Sequence, residues 1–144
     1  MRDVLGKILG KRPPVMQVAA LCLDPKTGKV LLITSRGTKR WIIPKGWPMS
    51  GRSAAGAALR EAWEEAGVRG KAQEKPVGQF AYNKRQGRGF SIPINVQVYL
   101  IPVTALDNEF PEASERKRKW FTPAEAADLV DEDGLKDLLR NFTP

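Results

Sequence analysis

The densest gathering of reactive side chains is in residues 45–68, KGWPMSGRSAAGAALREAWEEAGV, where Glu61, Glu64 and Glu65 fall within about one and a half helical turns. Like charges at i and i+4, as at Glu61 and Glu65, are mildly destabilising unless a cation lies between them. Several carboxylates, a backbone carbonyl and water make an oxygen donor set suited to a hard cation such as Mg²⁺. The competing reading is an ordinary solvated helix face. The 144-residue chain has no histidine, which removes Ser-His-Asp, Cys-His and histidine-ligated zinc chemistry together. Acid–base or metal chemistry therefore falls on carboxylates, Lys or Tyr. Cys22 is the single cysteine and stands between Leu21 and Leu23, so it reads as a buried structural thiol without a disulfide partner.

A helix from about Ser53 to Ala66 must position the glutamates, with Ser53 as N-cap and Gly67 as its C-terminal stop. Its packed face is Ala55, Ala58, Leu59, Ala62 and Ala66, with Glu65 at the edge, Glu61 about 40° beyond and Glu64 roughly 60° further. Arg60 stands at the i,i+4 spacing that permits an ion pair with Glu64. The preceding KGWPMSG is too rich in Gly and Pro to be helical and can bring a carbonyl to the same flank.

Around this helix, VMQVAALCL (15–23) and VLLITS (30–35) read as a β-hairpin across the turn DPKTGK, and WIIP (41–44) as a short strand ended by Pro44. VGQFAYN (77–83) and FSIPINVQVYLIPV (90–103) read as strands joined by the basic turn KRQGRG (84–89). After RKRKWF (116–121), Thr122 caps and Pro123 opens a helix, and DEDGLKDLLRNF forms a last amphipathic one. Without regular βαβ alternation, the expectation is an α+β domain with a mixed sheet between helices.

The length suits one domain, with residues 1–13 as a short helix or basic arm and 14–144 as the folded body. No long apolar run and no signal-peptide pattern is present, so the expectation is a soluble cytoplasmic protein without a membrane partner. The net charge of +8 favours polyanionic partners: nucleic acid, anionic membrane or small phosphorylated molecules.

The segment Gly46 to Val68 resembles the Nudix box: a glycine, five residues, a glutamate, seven residues, then Arg-Glu-apolar-any-Glu-Glu-any-Gly-apolar. Gly46, Arg60, Glu61, Ala62, Glu64, Glu65, Gly67 and Val68 stand at matching places. The resemblance implies a Nudix α/β/α sandwich and a hydrolase in which water attacks phosphorus in a pyrophosphate-type substrate. It implies that Glu61, Glu64, Glu65 and the Lys45 carbonyl hold Mg²⁺ or Mn²⁺, that Arg60 orients the glutamates, and that Glu64 or Glu65 acts as base. One position departs: Arg52 stands where the box has its first glutamate. Catalysis is expected to survive on the other three, with Arg52 recruited to hold substrate phosphate.

The order of VAALCL, VLLITSR, RWIIPKGWPM, the box and KRKWFTPAEA is similar to the diphosphoinositol-polyphosphate and diadenosine-polyphosphate phosphohydrolases of that superfamily. The implied partner is a small polyphosphorylated substrate, with nucleic acid the weaker candidate. Arg36, Lys39, Arg40, Lys45, Lys84, Arg85 and Arg88 are the expected phosphate ligands, since grouped cations near a metal site grip phosphate. Trp41 is read as core and Trp47 as either a base-stacking or an edge-covering residue. Trp120 and Phe121 are expected to anchor the last strand and helix. Glu112 and Glu115 lie where some relatives place an additional catalytic carboxylate, but read better as solvated loop charges. The alternatives are a Nudix hydrolase of another nucleoside-diphosphate derivative or of an RNA 5′ end, and a catalytically weak Nudix domain that binds phosphorylated ligands.

Overall fold

The structure, a computed structural model, describes residues 15–87 and 89–144; the expected arm at 1–13 and the expected phosphate ligand Arg88 lie outside the described residues. Its strands are β1 (Val15–Leu23), β2 (Val30–Thr34), β3 (Trp41–Ile42), β4 (Lys45–Gly46), β5 (Val68–Gly70), β6 (Gly78–Gln86), β7 (Phe90–Leu106) and β8 (Arg118–Phe121). Its helices are α1 (Ala54–Ala66), α2 (Pro123–Leu129) and α3 (Asp133–Asn141).

β1 and β7 pair in parallel, from Val15 opposite Ile94 to Leu23 opposite Pro102, and form the middle of the sheet. The other pairings are antiparallel: β2 and β4 on β1, β3 and β8 on β2, β5 and β6 on β7. A central strand covered on both faces must be apolar at nearly every position. Residues 17–23 of β1 are accordingly all buried. Ala19, Leu21 and Leu23 enter one core with Ala126, Ala127, Val130, Leu135 and Leu139 of the α2–α3 side. Val18, Ala20 and Cys22 enter the other, against the alanines of α1.

The sheet therefore lies between helices, as an α/β/α sandwich of the expected α+β class. Trp41 packs edge-to-face on Phe121 at 5.1 Å between ring centroids, as core residues do. The structure adds elements too short for periodicity to reveal: β5, which pairs with the end of β7, and β4, which turns the first two residues of KGWPMSG into a strand against β1. β6 also continues through Gln86, so Lys84, Arg85 and Gln86 of the expected basic turn belong to the strand. Among the described residues no helix is long and apolar enough to cross a membrane.

Candidate active site

α1 begins where Ser53 accepts a hydrogen bond from the Gly56 amide and ends at Gly67, whose φ of 69° only glycine adopts freely. Between these caps the small residues Ala55, Ala58, Ala62 and Ala66 bring the helix close to the sheet. Ala57 is buried as well, while Leu59 is only partly covered. Close approach carries the flanking carboxylates inward: Glu65 is 6% exposed, and Glu61 and Glu64 are intermediate.

β4 meets this flank. The Lys45 amide donates to Glu65 Oε1 at 3.4 Å, so the backbone of Lys45 adjoins the buried carboxyl. Gly46 follows, and a Cβ there would overlap the Glu61 carboxylate. The glycine therefore provides the space in which Glu61 lies against the backbone.

The loop before β8 closes the cluster from the other side. Arg116, with a side chain only 7% exposed, donates from Nε to Glu112 Oε1 at 2.8 Å; its Nη2 is ion-paired with the same oxygen at 2.8 Å and lies 3.8 Å from Glu65 Oε1. Its Nη1 donates to the Thr34 carbonyl at 3.0 Å, which fixes the guanidinium to β2. Glu112 is thus no solvated loop charge: it is held beside Glu65 by Arg116, and its amide donates to the Glu64 carbonyl at 3.0 Å. Glu115, half exposed and 3.6 Å from Arg36, fits the solvated reading better.

Three carboxyls, Glu61, Glu65 and Glu112, share this region with one buried guanidinium. Burial pushes the Glu65 carboxyl up to about 8; Arg116 opposes the shift while Glu61 and Glu112 add to it. Burial also raises Glu61, with Glu64 adding. Glu64 is turned to Arg60, which donates from Nε to Glu64 Oε1 at 2.8 Å. Among the described residues no three acidic side chains converge into a ready ion cage. The chemistry of the donors still fits a hard dication, since the three side chains that share this region offer carboxyl oxygens and a bound dication would favour their ionised forms over the protonated ones that burial favours.

The expected phosphate ligands are spread over both faces of the sheet. Arg36 lies 3.9 Å from Glu112, and Lys39 lines a groove of about 460 Å³ with Thr34, Trp41, Arg116 and Lys117 beside the cluster. Lys45 sends its ammonium through to the α2–α3 side, 5.3 Å from the Tyr82 ring centroid, where burial lowers its pKa. Arg40 pairs with Asp131 at 2.9 Å and Glu132 at 3.5 Å on that side. Lys84 lies 5.0 Å from the ring centroid of Trp47, itself 44% exposed, and Arg85 is exposed on β6. Arg52 is not brought to the cluster; it opens onto a groove with Arg60, Trp63 and Arg69.

Arg116 is the site residue that sequence reasoning missed. Its only signal is its place at the head of RKRKWF, where nothing distinguishes the buried cation from exposed Lys117 and Lys119.

The NUDIX domain family profile matches residues 13–142. Human diphosphoinositol polyphosphate phosphohydrolase 3-beta is 36% identical over 119 residues, covering 79% of this chain and 68% of that protein. Arabidopsis thaliana Nudix hydrolase 4 is 32% identical over 114 residues, covering 79% of this chain; the chain spans about half, 53%, of that relative. Among solved structures, a C. elegans Ap4A hydrolase superposes with TM-score 0.61 at 19% identity, over 89% of this chain and 95% of that one. The E. coli dihydroneopterin triphosphate pyrophosphohydrolase does so with TM-score 0.66 at 16% identity, over 88% and 93%. At these identities the two structures establish the shared fold.

Proposed function

The chain belongs to the NUDIX family, and on that premise we propose that it is a divalent-metal-dependent pyrophosphohydrolase cleaving a phosphoanhydride in a highly anionic substrate. The class we favour is a diphosphoinositol or diadenosine polyphosphate, and cytoplasmic location belongs to the same proposal. The observation that carries the reading is the cluster of Glu61, Glu65 and Glu112 around buried Arg116, which also lines a groove with Lys39, Lys117 and Glu115. A domain that only bound phosphate would gain nothing from burying carboxylates next to its ligand.

Glu61, Glu64, Glu65 and the Lys45 carbonyl would hold Mg²⁺ or Mn²⁺. When bound, the ion supplies Lewis-acid polarisation of a phosphoryl oxygen and a water of lowered pKa. Water oxygen forms the new bond to phosphorus, the bridging oxygen leaves with the departing phosphate, and a carboxylate takes the water proton. Glu65 and Glu64 are the two groups proposed for that base. Arg60 holds Glu64 in place, and Arg116 keeps Glu65 and Glu112 from repelling each other apart. Of the cations, Arg36 and Lys39 beside the cluster are the ones proposed to meet substrate phosphates, where Arg grips bidentately and Lys acts as a point charge.

The human relative bears the name of a diphosphoinositol polyphosphate phosphohydrolase, and the groove cations suit such a substrate. The test is phosphate release from diphosphoinositols, dinucleoside polyphosphates, nucleotide sugars and capped RNA at equal concentration, with and without Mg²⁺. Metal-dependent turnover highest on the first two classes is expected. Preference for capped RNA or a nucleotide sugar would overturn the substrate assignment alone.

A further inference from the structure

Arg52, the residue that departs from the box, lines a groove of about 570 Å³ with Gly56, Leu59, Arg60, Trp63, Val68, Arg69 and Gly70. That volume lies in the range of small-molecule sites. Trp63 stands about 160° around α1 from both Glu61 and Glu65, so the groove is on the opposite flank from the carboxylate cluster.

The guanidinium carbons of Arg60 and Arg69 lie 4.8 and 5.8 Å from the Trp63 ring centroid. Asp107 fixes the frame by accepting from Trp63 Nε1 at 3.1 Å and from Arg69 Nε at 2.6 Å. Arg60 likewise commits its Nε to Glu64. Among the described residues the terminal amino groups of Arg60 and Arg69 make no further hydrogen bond, and the Arg52 side chain makes no ion pair. Three guanidinium groups thus meet two carboxylates, and all three residues line one groove.

We propose that this groove binds a small anion carrying two or more phosphate groups, on the flank of α1 opposite Glu61 and Glu65 and sharing only Arg60 with the residues proposed for hydrolysis. Guanidinium forks match phosphate oxygens in pairs, and two arginines already braced by stacking and ion pairing lose little freedom on binding. A nucleic-acid strand is disfavoured because the Trp63 ring is already engaged by guanidinium groups instead of being open to stack a base.

The test is ¹H–¹⁵N NMR of the metal-free protein titrated with inorganic tripolyphosphate, following the Trp63 indole signal assigned through Trp63→Phe. The signal is expected to move and saturate, with affinity falling roughly tenfold in Arg52→Ala. Arg69→Ala should weaken binding similarly; because Arg69 also braces Asp107, Arg52→Ala is the variant that leaves the frame intact. A Trp63 signal that stays still, that moves equally with NaCl at matched ionic strength, or that saturates only with an RNA oligonucleotide or an acidic peptide would overturn the proposal. Without metal the experiment reads this groove whether or not the protein hydrolyses anything.

Discussion

Gly46 and the Glu61 carboxylate divide one small volume, and a methyl group at position 46 would displace the carboxylate rather than the backbone. Because the displaced atoms end a flexible side chain, Gly46→Ala should cost the fold little and the site much. We expect a melting temperature within a few degrees of wild type and at least about a tenfold loss of hydrolysis, since misplacing a reacting group is more costly than moving a surface one. A variant that loses stability and activity together would show that Gly46 serves the fold instead. Cys22 gives a second prediction. Burial holds its thiol up to about 12 against an ordinary 9.0, so the folded chain keeps the proton that an unfolded chain releases. Its contribution to stability is whole below pH 9 and is lost as pH rises from there to about 12. The native protein should resist iodoacetamide at pH 8 and react once unfolded, as mass spectrometry would read. The placing of Glu61 and Glu65 on one flank of α1 was legible because helical spacing alone fixes it. Arg116 was not, because its burial depends on contacts with Thr34, Glu65 and Glu112, which only the folded chain assembles.

The caps of α1 decide how firmly the glutamates are presented. Ser53→Ala removes the hydrogen bond to the Gly56 amide and should cost about 1 kcal/mol in urea unfolding. Gly67→Ala should cost more, about 2 kcal/mol or above, because alanine is strained at positive φ and its Cβ would press on the Asp107 carbonyl oxygen. Equal losses in the two variants would contradict the packed C-terminal cap. Both caps were readable because Ser, Gly and the apolar period between them act locally, as they do at Thr122, where the capping box with Glu125 opens α2. β4 and β5 were not readable. Strands of two and three residues carry no period, and their identity comes from partners in β1 and β7. The cost of missing β4 was specific: its pairing is what delivers the Lys45 amide to Glu65.

Across the whole molecule, charge and fold serve opposite ends of one task. The sandwich buries Glu65 on α1, while the chain carries a net charge of +8, with Arg36 and Lys39 beside the glutamate cluster. Exposed cations attract a polyanion through a field that salt screens over about 10 Å at 0.1 M, so kcat/KM on a polyphosphorylated substrate should fall several-fold between low and physiological ionic strength. A salt-independent kcat/KM would argue that Arg36, Lys39 and their neighbours do not gather substrate. The class of the fold followed from element order, whereas the division of the cations between two faces of the sheet and a separate groove did not, because equal basic residues in a sequence carry no mark of direction. If Glu61, Glu64 and Glu65 make this chain a metal-dependent hydrolase, Mg²⁺-dependent phosphate release from a diphosphoinositol polyphosphate should separate wild type from Glu65→Gln. Turnover by wild type and a loss of about a hundredfold or more in the variant, with its circular dichroism unchanged, is the expected result. Wild-type turnover retained in Glu65→Gln, or metal-loaded wild type that hydrolyses no phosphoanhydride offered, would contradict it.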